Sequence, residues 1–249
     1  MEQPGTSTPF TIDRLLPERA ELVSAESGAG LSYGDAAIGT PLLSSPVGRA
    51  VKRAIDLVGA TAALVLLSPL LIALTLALTV ESAGHPIFVQ QRIGRSGVPF
   101  RILKFRTMAR DADDRLVGAL VADEALAREW ATLRKLRNDP RVTRIGRFLR
   151  KYSLDELPQF LNVLLGQMSL VGPRPIVTEE LALFGSRLPT VLTMRPGLTG
   201  LWGVSGRNDL GYEERIQLEE RYVRRWTLGL DIAILLRTVP RVLRGRGAF

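Results

Sequence analysis

Two adjacent carboxylates, Asp155 and Glu156, stand in a stretch of the chain crowded with cations. Arg141, Arg144, Arg147, Arg150 and Lys151 precede them, and Gly172-Pro173-Arg174-Pro175 follows. A carboxylate in such surroundings can act as a nucleophile, and a pair of them beside bound phosphates can help hold a divalent metal. Ser153-Leu154-Asp155-Glu156 fits a capping box, with Ser153 at the cap and Glu156 at the third helical position. A helix N-terminus stabilises anions, so this reading keeps Asp155 ionised. The same pattern also has a purely structural use, in which the acids cap a helix that bends at Pro158. Arg144, Arg147 and Lys151 follow helical spacing and are expected to form one basic stripe able to gather a diphosphate.

Further cations sit where phosphate could be held. Residues 86–92 and 99–106 read as two short strands around a turn containing Gly94 and Gly97. In the second strand Lys104 and Arg106 share a face while Phe105 points the other way. Such a pair suits a phosphate, or equally protects an exposed strand edge. The prolines around Arg174 fix a rigid turn that suits bidentate phosphate binding, the plain alternative being a surface turn with an incidental arginine. Residues 195–202 and Ser205-Gly206-Arg207 are again turns that carry arginines. Asp111, Asp113 and Asp114 read as the acidic start of a helical, solvated stretch over 111–137 rather than as a metal site. With no cysteine and the single His85, thiolate chemistry, Cys-based zinc sites and His clusters are excluded.

The elements that must position these groups include a membrane segment. Residues 57–80 run for 24 positions without a charge, more than the ~20 needed to cross a bilayer core. Ser68-Pro69 falls at the middle. Proline removes a backbone donor and clashes with the preceding turn, so the helix should bend there, with the Ser68 hydroxyl available to a freed backbone group. Arg49, Lys52 and Arg53 lie before the segment, and Arg92, Arg95, Arg101, Lys104 and Arg106 follow it. Basic flanks mark the cytoplasmic side. A helix that enters, bends and returns satisfies both flanks, whereas a kinked spanning helix satisfies one. Residues 160–165 form an apolar helix too short to span. Residues 212–226 read as a helix whose Leu218, Tyr222 and Trp226 pack on one face. Residues 232–243 read as an interfacial segment with basic anchors.

Charge is unevenly distributed. Residues 1–45 carry −4 and the rest +12, for a net +8. A basic body calls for an anionic partner: nucleic acid, an anionic membrane or a phosphorylated substrate. Aromatics are only 6%, which disfavours a single-strand stacking platform, and no nucleic-acid motif is present. The expected organisation is α+β and mostly helical. A disordered polar tail spans 1–45 and a re-entrant membrane helix hairpin 46–84. A cytoplasmic globular catalytic domain, 85–249, carries interfacial amphipathic helices and a small β-hairpin.

Taken together, KRAIDLVGA with its Ser68-Pro69 break, PFRILKFRTM, SLDELPQFLNVLLGQMSLVGPRP, RPGLTGLWGVSGR and LDIAILLRTV resemble the bacterial sugar transferases. This family is also called the monotopic phosphoglycosyl transferases. The likeness runs from about Val47 to Phe249. It implies transfer of a sugar-1-phosphate from a nucleotide diphosphate sugar to a polyprenyl phosphate, undecaprenyl among them, with release of nucleoside monophosphate. Mg²⁺ is the implied cofactor. The family's Asp-Glu pair matches Asp155, which would form a phosphosugar-aspartyl intermediate, and Glu156, which would help place Mg²⁺ or handle protons. Lys104, Arg106, Arg150 and Arg174 would hold phosphates, and Arg207 joins them as a candidate. The likeness also places the chain at the inner membrane of a bacterium, facing the cytoplasm, among membrane lipids and without nucleic acid; a homodimer is a possible assembly. Gly203 departs from the pattern, since many relatives carry Gln there.

Overall fold

A computed structural model of the chain describes residues 45–249, apart from 83–84, 134–135, 137, 207–209 and 246–249. The expected tail and Arg207 lie outside the described residues.

The uncharged run belongs to one helix, α1 (Pro46–Ser82), 37 residues long with Pro69 inside it. Pro69 has no N–H to offer the carbonyl of Val65 four residues back. The Ser68 hydroxyl donates to that same Val65 carbonyl at 2.8 Å, so the orphaned acceptor is satisfied locally. Two stretches of α1 are tied to the body. Near its start, Lys52 donates to the Val171 carbonyl (3.0 Å) and to Asp231 (2.6 Å), and Asp56 accepts from Ser169 and from the Leu170 N–H. Ala60 is fully buried among body residues. Near its end, Leu74 and Leu78 pack with Phe105 and Leu149, and the Ile145 N–H donates to Glu81. Between these anchors Val65, Leu66 and Ile72 are exposed.

Strands β1 (Ile87–Ile93) and β2 (Pro99–Phe105) pair antiparallel, Phe88 opposite Lys104. Each lies within a residue of its expected span. The expected long charged helix is two, α2 (Ala112–Ala122) and α3 (Glu124–Leu133), broken at Asp123. Asp123 is extended, and its carboxylate accepts the N–H groups of Ala125 and Leu126, so it caps α3 instead of continuing α2.

Helix α4 (Arg144–Lys151), capped by Thr143, leads to the carboxylate pair. Here the structure corrects the capping-box expectation. Ser153 sits in the left-handed region (φ 53°) and makes no cap hydrogen bond, and Leu154–Glu156 form a single 3₁₀ turn. Pro158 contributes: it has no N–H to donate to the Leu154 carbonyl four residues back, so no α-helical bond can close over the turn. The α-helix starts only after it, as α5 (Gln159–Leu164).

The remaining elements are β3 (Ser169–Val171), α6 (Leu181–Phe184), α7 (Leu188–Val191), β4 (Gly197–Thr199), α8 (Leu201–Ser205), α9 (Tyr212–Arg224) and α10 (Leu228–Arg244). Strands β3 and β4 pair in parallel. Tyr222 and Trp226 are fully buried, in agreement with the packing face expected of this helix, and they join Met168, Val171 and Ile234 in the main core. On α10, Ile232, Leu236, Val239 and Leu243 remain exposed. Their spacing lines one face of the helix, as expected for an interfacial segment.

Candidate active site

Three contacts seat the Asp155–Glu156 turn. Leu154 and Leu157 pack into the cluster built by Leu74 and Leu78 of α1 with Phe105 and Leu149. The turn therefore rests on the C-terminal arm of the apolar helix. On one side β2 supplies Lys104, whose ammonium lies 2.8 Å from Glu156. The strand is pegged by the side chain of Asn162, which accepts the Leu103 N–H and donates to the Arg101 carbonyl. On the other side α4 supplies Arg150. Its Nε donates to the Thr107 hydroxyl at 2.9 Å, and α4 can press this close because position 146 is glycine. A Cβ there would meet the Thr107 carbonyl oxygen at 2.1 Å.

These surroundings act on Asp155 against one another. Burial, then the Glu156 charge, push its carboxyl up from 3.8 to about 6, against the pull of Lys104 and Arg150. The helix N-terminus expected to keep Asp155 ionised is here a single 3₁₀ turn, and burial with the Glu156 charge sets the direction of the shift. Ser153, a non-glycine residue at positive φ, stores backbone strain of order 1 kcal/mol beside the pair. Arg144, Arg147 and Lys151 are exposed. The expected basic stripe faces solvent, and Arg150, outside it, turns inward.

Arg174 leaves the Gly172-Pro173 turn and lies 5.0 Å from the Trp202 ring. Charges that act on its guanidinium, after burial, begin with Glu156 and continue with Arg215, Glu180 and Glu219. Arg92 of β1 answers to the same group, Arg174, Glu180, Arg215 and Glu156. Cations therefore flank the pair on two sides, Arg150 at Asp155 and Arg174 with Arg92 at Glu156, with Lys104 reaching both. Behind Arg174, Arg215 is buried on Trp202 and Tyr212 (5.6 and 4.9 Å) and pairs with Glu180 at 3.2 Å. Glu219, 1% exposed, is pushed up to about 7 by burial, against the Arg174 N–H and the Arg215 and Arg174 charges. Arg215, Glu180 and Glu219 went unread in the sequence, and Arg92 was read only as part of a basic flank. The α9 residues sit at i and i+4, Arg215 and Glu219, on the buried face of a charged helix, which is the one signal that marked them.

Arg106 follows the last residue of β2 and makes no hydrogen bond or ion pair with either carboxylate; its Nη1 is buried without a partner. Gly203 leaves the space a side chain would enter open, with only the Thr199 hydroxyl within 4 Å of a built Cβ, at 3.7 Å. No group of three or more metal-binding side chains occurs among the described residues. Two carboxylates in this charged setting nonetheless fit a hard cation such as Mg²⁺. That ion is commonly held by one or two carboxylates and completes its shell with phosphate oxygens and water.

The carboxylate pair, with the charges of Lys104, Arg150, Arg174 and Arg92 acting on it, stands at the end of a helix long and apolar enough to cross a membrane. The bacterial sugar transferase family matches residues 47–245. The exopolysaccharide production protein ExoY of Rhizobium meliloti is 44% identical over 82% of this chain and 90% of its own length. The UDP-glucose:undecaprenyl-phosphate glucose-1-phosphate transferase of Caulobacter vibrioides is 42% identical over 80% of this chain and 72% of its own. The undecaprenyl-phosphate galactose phosphotransferase of Salmonella typhimurium is 47% identical over 81% of this chain but only 42% of its own length. The chain belongs to the bacterial sugar transferase family and is a transferase enzyme.

Proposed function

We propose that the chain moves a sugar-1-phosphate from a nucleotide diphosphate sugar to a polyprenyl phosphate, in two displacements at Asp155. The observation that carries this reading is the half-buried carboxylate pair beside cations: the Lys104 ammonium lies 2.8 Å from Glu156 and the Lys104 and Arg150 charges act on Asp155, whose pKa burial raises to about 6. At pH 7 it is mostly ionised, yet burial leaves it poorly solvated, which favours attack. In the first step an Asp155 oxygen attacks the sugar-bearing phosphorus. The bond from that phosphorus to the bridging oxygen breaks, and nucleoside monophosphate leaves with the electron pair. In the second step an oxygen of the lipid phosphate attacks the same phosphorus, and the Asp155 oxygen leaves as carboxylate. Lys104, Arg150 and Arg174 hold the phosphates in line and neutralise their charge, the main protein contribution to phosphoryl transfer. Asp155 and Glu156 are the residues that would hold Mg²⁺, which, when bound, neutralises phosphate charge.

The same reading puts α1 in the membrane as a re-entrant hairpin. A straight 37-residue helix is ~55 Å long, while its two ends are tied to one body and its exposed apolar stretch lies between them. Bending at Ser68-Pro69 buries that stretch in lipid and leaves the site at the cytoplasmic surface of the inner membrane. The similar proteins' names support the lipid acceptor and a place in exopolysaccharide assembly.

The test uses purified protein in detergent with Mg²⁺, a short polyprenyl phosphate and a panel of nucleotide diphosphate sugars. Lipid-dependent release of nucleoside monophosphate is expected from at least one donor and from none with Asp155→Asn. Without lipid, intact-protein mass should rise by one sugar phosphate. Turnover by the Asp155→Asn protein would remove the covalent mechanism.

A further inference from the structure

Residues 195–206 take no part in the proposed phosphoryl steps, yet they are built around Arg174. Their first part is the parallel ladder. The Gly172 N–H donates to the Thr199 carbonyl at 2.9 Å, and the Gly197 N–H donates to the Pro173 carbonyl at 2.8 Å. These two rungs fix the backbone just before Arg174. The chains meet this closely because position 200 carries no side chain: a Cβ there would lie 2.3 Å from the Gly172 carbonyl oxygen. Helix α8 starts at the next residue, and Trp202 is its second. One short segment therefore holds the backbone before Arg174 and supplies the ring on which its side chain lies.

That ring carries two cations. The Arg174 guanidinium lies 5.0 Å from the Trp202 ring centroid and that of Arg215 lies 5.6 Å from it. Both fall within the ~6 Å over which a ring face attracts a cation, and tryptophan is the strongest of the rings in this respect. The like charges also act on one another. Glu180 offsets this by holding Arg215, whose Nη1 and Nη2 donate to its two oxygens at 3.2 and 3.3 Å. The Tyr212 ring covers Arg215 at 4.9 Å, and Phe184 meets Tyr212 edge-on. Trp202 itself is 9% exposed, and Val204, two residues on, enters the main core. The platform under Arg174 is therefore fixed by its own packing.

The two arginines are held by different forces. The ion pair with Glu180 uses N–H groups of Arg215. Attraction to a ring face acts on the charge as a whole and uses no N–H, so it leaves the edge of a guanidinium to phosphate oxygens, which it meets two at a time. Of the charges that act on Arg174, that of Glu156 comes first, which ties this seat to the carboxylate pair.

We propose that Trp202 is the positioning residue for Arg174: its ring, braced by the Glu180-bound Arg215, holds the Arg174 guanidinium in the orientation that meets the phosphates of the nucleotide diphosphate sugar. What Arg174 binds rests on the transfer reading given under Proposed function.

The test follows kcat/KM of the full-length protein, on the donor that turns over, through a double-mutant cycle. Trp202→Leu should lower kcat/KM about tenfold or more, as expected for losing a desolvated cation–ring contact. Trp202→Phe, which keeps a ring, should recover most of that loss. Arg174→Ala alone should cost about a hundredfold. In that background Trp202→Leu should cost no more than about twofold further, because a ring that acts through Arg174 has nothing left to hold. An equal cost in both backgrounds is what a merely structural role gives, and would overturn the proposal. If Trp202→Leu unfolds, fluorinated tryptophans placed at position 202 weaken the pull of the ring on cations with little change of shape. kcat/KM should then fall with each added fluorine, about tenfold across the series, beyond any loss of folded protein. A flat series, with Arg174→Ala still impaired, would overturn the proposal and leave the transfer reading standing. Arg174→Ala that turns over like wild type would remove Arg174 from the phosphates, and so would sink that part of the transfer reading and the proposal with it.

Discussion

At Asp155, the nucleophile of the proposed mechanism, two demands conflict: it must be ionised, and its surroundings are only partly able to solvate the charge. With a pKa of about 6, kcat/KM should fall about tenfold per pH unit below that point and level off above it. Lys104→Met removes a cation that holds the value down, so the rising limb should move to higher pH. A pH profile of initial rates checks this, and an unmoved limb would remove Lys104 from the electrostatics of the site. For stability the sign is the reverse of the usual Asp case. The folded pKa lies above the unfolded 3.8, so the contribution of Asp155 to folding is full below about 4 and is lost as pH rises through 6. Asp155→Asn should therefore abolish turnover yet gain about 1–2 kcal/mol at neutral pH, after allowance for solvent around a half-buried group. Glu219 offers the same logic in a drier place. Its carboxyl is pushed up from 4.5 to about 7, so the advantage of Glu219→Gln over wild type should grow by up to about 1.4 kcal/mol per pH unit between about pH 4.5 and 7 and stay level above that. Melts at pH 5 and pH 8 decide it: a constant gap would mean that Glu219 does not titrate between them in the folded protein.

Elements position these groups through close approaches that only small residues allow. A Cβ at Gly172 would meet the Arg195 carbonyl oxygen at 2.4 Å, where β3 and β4 run side by side just before Arg174. Gly172→Ala should cost about 1–3 kcal/mol in chemical denaturation, the usual range for overpacking. It should also lower activity more than stability alone explains, by displacing Arg174; activity that tracks the folded fraction would refute that second effect. What was legible in the sequence follows from how local the determinants are. The β-hairpin, the apolar helix and the burial of Tyr222 and Trp226 all rest on short-range pattern. The capping box failed because Ser153 takes the left-handed conformation and makes no cap bond, while Pro158 has no N–H to close an α-helical bond on Leu154. The basic stripe failed because spacing tells which residues share a face and not which way that face turns. The grouping of Arg92, Arg215, Glu180 and Glu219 was hidden for a third reason. They meet Arg174 only when β1, α9 and the turn before α6 come together from separate parts of the chain, a juxtaposition that no local pattern records.

At the scale of the molecule, the question is how one long apolar helix and one basic body meet a bilayer. Both ends of α1 are anchored: Lys52 by a buried ion pair with Asp231 that Tyr222 and Trp226 also serve, and Leu78 and Glu81 by β2 and α4. A helix crossing the membrane would have to surrender one of these anchors. Breaking the buried pair alone costs about 3–5 kcal/mol. On the proposed re-entrant reading Pro69 is the device that keeps both, since it removes one rung of the hydrogen-bond ladder and Ser68 satisfies the carbonyl left over. Restoring the rung should tip the balance. Pro69→Leu returns the N–H to the Val65 carbonyl, regains the ~3 kcal/mol that proline costs in a helix interior, and favours a straight span that pulls the body from one anchor. The chain has no cysteine, so single cysteines at positions 50 and 84 report topology without background. In the parent sequence both should react with an impermeant reagent from the cytoplasmic side alone. With Pro69→Leu the cysteine at 50 should lose that access, becoming reactive from the opposite side, while turnover falls. If both positions stay cytoplasmic in the variant, the anchors and not the proline hold the hairpin, and Lys52→Met added to Pro69→Leu should then be needed to release it.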